Sequence, residues 1–164
     1  SAVWRDVSSA CRIPKRWTLY PVPGTSVAMK TVNPVTVDFL LLPMIGLADD
    51  DDEVKRYWNL SPDNEGAYRE IIRERLKPEF DRLSSEDRDE AKTCLSYYLT
   101  KCGPAFFERL FDKYLLPFGN PRESRQFFVW LWEEYFGAES YVLPDWQDYQ
   151  EVEDLERQFR VKRQ

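Results

Sequence analysis

The stretch from residue 125 to 137, RQFFVWLWEEYFG, constrains the fold more than any other: eight of the ten residues from Phe127 to Phe136 are apolar. A helix resting on one core needs an apolar stripe of roughly three to four positions per two turns, and this segment carries about twice that. At the helical period, Phe128, Leu131, Trp132, Tyr135 and Phe136 form one broad face. Phe127, Trp130 and Glu134 form a second, and Gln126 and Glu133 mark a narrow polar strip. Such a helix is either central in a bundle or holds one face for a partner. The pattern predicts a central helix with Phe128, Leu131, Trp132 and Tyr135 deeply buried. It places Phe127, Trp130 and Glu134 nearer the polar strip, as candidate contacts for a partner.

The helical period extends over most of the chain from residue 63 onward. Tyr68, Ile71, Ile72, Leu76, Phe80 and Leu83 share a face, interrupted by Pro78, which must kink or split the helix. SSEDRDEAKTCLSYYLTKCG begins with capping serines and an acidic first turn, keeps three-four spacing through Ala91, Cys94, Leu95, Tyr98, Leu99 and Cys102, and stops at Gly103. Pro104 opens the next helix, with Phe107, Leu110, Phe111, Tyr114 and Leu115 expected inside and Gly119 as its end. Asn120-Pro121-Arg122-Glu123 reads as the start of the aromatic helix, and Gly137 as its stop. A final helix is expected from about Asp145, carrying Tyr149, Val152, Leu155 and Phe159, with the basic RVKRQ at its negative dipole end. The short connections favour antiparallel neighbours.

Residues 1–45 have a different character, holding five of the eleven prolines. RIPKRWTLYPVPG reads as extended and turn-rich, and VTVDFLLL alternates at Val35, Val37, Phe39 and Leu41 as a strand does. The first methionine is Met29, so residues 1–28 read as an added or upstream segment if translation starts there. MKTVNPVTVDFLLLPMIGLA has the outline of a signal peptide, but Asp38 and Pro43 interrupt it, and a buried strand and turn is the better reading. Residues 46–62 contain four successive aspartates, Asp49 to Asp52, which read as an acidic linker or the start of a short helix over Glu53 to Leu60. The expected organisation is an extended arm (1–45), an acidic linker or short helix (46–62) and a helical domain (63–164). The fold class is mainly α: a compact bundle of five or six helices with an extended, proline-rich N-terminal arm able to add a short strand or hairpin.

Charge is unevenly spread within a net of -6. Residues 1–45 hold five basic against two acidic side chains, whereas the other 119 hold 18 basic against 27 acidic. An acidic body repels nucleic-acid phosphate and favours basic protein partners. The aromatic share of 15% is high, and aromatic side chains build cores and interface hot spots alike. Three cysteines, Cys11, Cys94 and Cys102, make no disulfide framework and read as small buried hydrophobes of a reducing, cytoplasmic setting. The sequence has no apolar run long enough for a membrane helix.

With no histidine, the chain lacks the commonest general base and the usual zinc ligand sets. It also lacks a glycine-rich phosphate loop and a GxSxG nucleophile turn. The aspartate run offers oxygen ligands, but consecutive residues converge on one ion only with a fixed turn. No cofactor and no catalytic residue is expected. These features point to an acidic protein-binding module, of the inhibitor or immunity type, that neutralises a basic partner such as a toxin nuclease. A helical adaptor or chaperone subunit is the alternative, and a carboxylate- or metal-dependent enzyme the rival class. The expected partner contacts are Phe127, Trp130, Glu134, Trp146 and Trp58, with the acidic side chains Asp50, Asp51, Glu153 and Asp154.

Overall fold

The computed structural model describes residues 29–156. The fold is mainly α. A short strand, β1 (Lys30–Val32), is followed by α1 (Pro34–Phe39), α2 (Asp51–Tyr57), α3 (Glu65–Ile71), α4 (Lys77–Asp81), α5 (Ser85–Lys101), α6 (Pro104–Asp112), α7 (Ser124–Phe136) and β2 (Tyr149–Glu151). A π turn, Ile72–Leu76, joins α3 to α4 without a break, so the described residues form six continuous helices.

α7 lies at the centre because its two apolar faces both find aromatic neighbours. Phe127 meets Tyr68 of α3 and Phe111 of α6 edge-on, and Phe128 packs on Phe107 and Phe111. Trp132 donates its indole N–H to the Glu139 carbonyl at 2.7 Å and packs on Phe136. Tyr135 is half-buried and stacks on Phe80 at 4.1 Å between ring centroids. A fully buried phenylalanine contributes about 1.5–3 kcal/mol relative to an exposed one, so this cluster dominates the core. Gly137 ends the helix at φ 66, a left-handed conformation that side-chain-bearing residues seldom adopt. The helix starts later than the Asn120-Pro121 pair suggests. Asn120 instead donates to the Asp112 carboxylate, Pro121 is buried in the loop, and Glu123 occupies the cap position without a side-chain bond.

The helix interrupted by Pro78 is neither split nor stopped. Proline removes an N–H and crowds the carbonyl four residues back. The backbone takes up the misfit one turn earlier, where Lys77 N–H bonds to the Ile72 carbonyl in the wider π pattern. Tyr68, Ile71, Ile72, Leu76 and Phe80 consequently stay on one buried face. α5 follows its prediction closely: Ser84 Oγ accepts from the Asp87 N–H at 3.1 Å, and Ala91, Cys94, Leu95, Tyr98 and Leu99 are buried.

Two expected elements are replaced. The alternating VTVDFLLL is no strand: its first five residues belong to α1, and Leu40 to Leu42 lead into a 3-10 turn. Asn33 Oδ1 accepts from the Val35 N–H at 3.1 Å and Pro34 opens the first turn, a strong helix start. The buried residues Val37, Leu40, Leu41 and Met44 follow helical spacing, which outweighs four alternating positions. The final helix from Asp145 is absent over the described residues, and Phe159 lies outside them. Trp146–Asp148 make a single 3-10 turn and Tyr149–Glu151 a strand parallel to β1, with Lys30 opposite Tyr149, Thr31 opposite Gln150 and Val32 opposite Glu151. The Asp145 carboxylate pairs with Lys30 instead of capping a helix. Val152 and Leu155, expected on its buried face, are exposed. The described part of the arm enters the main core, since Val32, Val37, Leu41 and Met44 belong to one cluster with the helices. The extended reading of RIPKRWTLYPVPG, Cys11 and the basic C-terminal end lie outside the described residues.

Candidate protein-binding face

α2 is held by its own acids. Asp50 Oδ1 accepts from the N–H groups of Asp52 (2.9 Å) and Glu53 (3.3 Å), closing the first turn. Asp51, Asp52 and Glu53 sit at the positive end of the helix dipole, and Lys55 and Arg56 at the negative end. Side chains four apart then share a face. Glu53 and Tyr57 turn inward: Glu53 pairs with Arg75, and Tyr57 meets Phe118 edge-on at 6.0 Å. Val54 and Trp58 form the adjoining face, and Trp58 is 73% exposed.

The opposite wall is the loop after α6. α6 stops at Asp112 rather than at Gly119, and Pro117, which lacks an N–H and disfavours helix in the residue before it, keeps the helix from resuming across the loop. Pro117 and Phe118 are buried, and Tyr68 donates its hydroxyl to the Gly119 carbonyl at 2.8 Å. Burial pushes the Tyr68 phenol up to about 12, so it remains a donor at neutral pH. With the loop pinned there, Leu115 points outward at 79% exposure, a correction to the inward position that the α6 periodicity implies. Ala48, Val54, Trp58, Leu115, Leu116 and Phe118 line a shallow hollow of about 340 Å³.

Acidic residues are close in the chain to its lining. Asp49 follows the lining residue Ala48, and Asp51 lies one helical turn before Val54. Asp49, Asp51 and Asp52 are all exposed. Among the described residues Asp49 and Asp51 make no ion pair, while Asp52 meets only the exposed Lys55, at 3.7 Å. An apolar hollow beside uncompensated carboxylates suits a partner that is apolar and basic together.

Of the residues expected to contact a partner, the fold brings Trp58, Asp50 and Asp51 together on α2. Asp50 is exposed, but its carboxylate is occupied as the helix cap. Phe127 is 0% exposed and Trp130 8%, so both are core residues, contrary to expectation: Tyr68 of α3 packs against both rings, while Glu133 of the polar strip stays exposed. Tyr68 stacks on Trp130, and Arg69 places its guanidinium over the same indole at 5.9 Å. Glu134 is also covered, its side chain 16% exposed, where it accepts hydrogen bonds from Arg69 and Arg73. Trp146 is half-buried against Tyr97. Glu153 lines a separate hollow with Asp38, Arg109 and Lys113, and the Asp154 backbone is paired with the Asn33 side chain. Leu115 is the exposed lining residue of the hollow that periodicity missed, and the signal available was Pro117, which disfavours helix in the residue before it.

Among the described residues no group of three or more His, Cys, Asp and Glu side chains is placed to hold a metal ion, and no helix is long and apolar enough to cross a membrane. Set against protein-family models, curated proteins and solved structures, the chain matches none of them.

Proposed function

We propose that this chain is a protein-binding module of the inhibitor or immunity type, which captures a basic segment of another protein on the face formed by α2 and the loop after α6. One observation carries the reading: Trp58 and Leu115, 73% and 79% exposed, line the same hollow, and the exposed Asp49 and Asp51, next to Ala48 and one helical turn before Val54 of its lining, make no ion pair among the described residues. A large aromatic side chain left in water gains most by being covered, and tryptophan is the residue most enriched at interface hot spots. The carboxylates add selectivity for lysine and arginine and speed the encounter.

The test uses two synthetic peptides with equal numbers of lysines, one interspersed with valine and one with serine, titrated into the protein while the Trp58 indole N–H resonance is followed. The valine peptide is expected to shift that resonance, to bind more weakly as salt shortens the Debye length, and to lose about 30-fold in affinity in Trp58→Ala, the hot-spot scale of about 2 kcal/mol. Asp49→Asn with Asp51→Asn should slow association and flatten the salt dependence. A Trp58 resonance that neither peptide moves would overturn the proposal, as would equal binding by the serine peptide.

A further inference from the structure

The loop wall of this hollow carries free main chain as well as apolar side chains. Among the described residues, the N–H groups of Leu115, Leu116 and Phe118 make no backbone hydrogen bond, and neither do the carbonyls of Leu115, Leu116 and Pro117. Pro117 has no N–H of its own. Proline also biases Leu116, the residue before it, towards extended backbone, and neither Leu115 nor Leu116 lies in a helix or strand, so their free groups are open to a segment that pairs as at a sheet edge. A helix laid in the hollow has its own backbone groups already bonded and leaves this row unmatched. An extended segment satisfies it.

Resting on the binding reading above, we infer that the captured basic segment lies extended along Leu115 and Leu116, bonded through its main chain, with an apolar side chain between Trp58 and Leu115 and a lysine or arginine directed to Asp49 and Asp51. The spacing agrees with this. Asp51 and Trp58 are seven residues apart on α2, about 10 Å at the helical rise of about 1.5 Å per residue. An extended chain advances about 3.3 Å per residue and puts alternate side chains on one side. An apolar residue and a basic residue two or four positions apart therefore reach both ends of the face, since a lysine side chain spans the difference. Two adjacent residues point to opposite sides and do not. The favoured ligand is an extended peptide in which apolar and basic residues share one side.

Three probes separate this mode from mere occupation of the hollow. The first is a short peptide with valine and lysine two positions apart, separated by serine. The second is the same peptide N-methylated at alternate amides on its bonding edge. The third is a stapled helical peptide of the same composition. The first is expected to slow hydrogen exchange at the Leu115 and Leu116 amides while it shifts the Trp58 indole. N-methylation should weaken it about tenfold or more, each tenfold being about 1.4 kcal/mol. The helical peptide should bind at least tenfold more weakly than the first, or not at all, on the same scale. If the extended peptide shifts Trp58 without protecting Leu115 and Leu116, or if N-methylation leaves its affinity unchanged, the extended mode is wrong while the binding face stands. Equal binding by the stapled helix, with Trp58 shifted, has the same meaning. If no peptide reaches Trp58, the face itself fails and this inference with it.

Discussion

Tyr68 of α3 stacks on Trp130 of α7, with ring centroids 6.0 Å apart and planes inclined by 21°. The contact closes the second apolar face of the aromatic helix and makes Trp130 part of the core. Trp130→Ala should therefore cost about 3–5 kcal/mol, the range for large aromatic truncations in cores. Trp58→Ala removes an equally large ring that is 73% exposed, and its effect on stability should stay within about 0.5 kcal/mol. Urea unfolding of the two variants checks both values. Equal losses would show that Trp58 is packed in solution and would remove it from the binding face.

Asp50 is the cap of α2, and its carboxylate replaces two missing backbone partners. Asp50→Ala should lower stability by about 1 kcal/mol, whereas Asp50→Asn retains a capping oxygen and should cost much less. Asp51→Asn should leave stability almost unchanged. If Asp51 proves the more costly of the two, the helix start is misplaced by one residue.

Glu134 accepts from Arg73 and Arg69, and these bonds hold its carboxyl below the usual glutamate range, with the Arg73 bond the largest cause. The folded protein then takes up this proton less readily than the unfolded chain. The stabilisation is complete above the ordinary carboxylate value and disappears as the pH falls through the lower folded value. In Glu134→Gln that portion of the acid-induced loss should be absent, giving a shallower decline of the unfolding midpoint in the acid range. Parallel pH profiles for the variant and the parent would contradict the linkage.

Cys94 lies inside α5 at 1% exposure, and burial pushes its thiol up to about 11. The thiolate is the reactive form, so alkylation at neutral pH should be negligible in the folded protein and rapid in urea. Mass spectrometry of the peptide containing Cys94 reads this directly. Labelling at the rate of a free thiol without denaturant would mean that α5 opens locally or packs differently.

The helices of the bundle were legible because their information is local. Ser84 before an acidic turn, Pro104 at a first turn, Gly137 after the aromatic run and the three-four spacing of Tyr68, Ile71, Ile72 and Leu76 each report on the backbone within a few residues. α1 was read as a strand although Asn33 and Pro34 form a local helix start. The period-two pattern misled because Val35, Val37, Phe39 and Leu41 meet it by coincidence, while the residues buried most deeply keep the helical period. The candidate face was half legible: Trp58 and the aspartates stood out, but Leu115 was assigned inward by extending α6 past Asp112, where it ends.

By itself, the sequence determined a mainly helical fold, the cap of α5, the glycine stop of α7 and the central place of the aromatic helix, all of which depend on neighbouring residues or on the sheer apolar content of one segment. Only the tertiary structure decided which tryptophans are covered. Periodicity tells which side chains share a face and not what lies opposite. Trp130 and Glu134 are enclosed because Tyr68 and Arg69 of α3 and Arg73 of the π turn after it come from some sixty residues earlier in the chain. Trp58 stays exposed at the end of α2, in the same hollow as the outward-facing Leu115. The strand at Tyr149–Glu151 has the same origin, since β1, which supplies its hydrogen bonds, lies at the other end of the described chain, where no local pattern records the pairing.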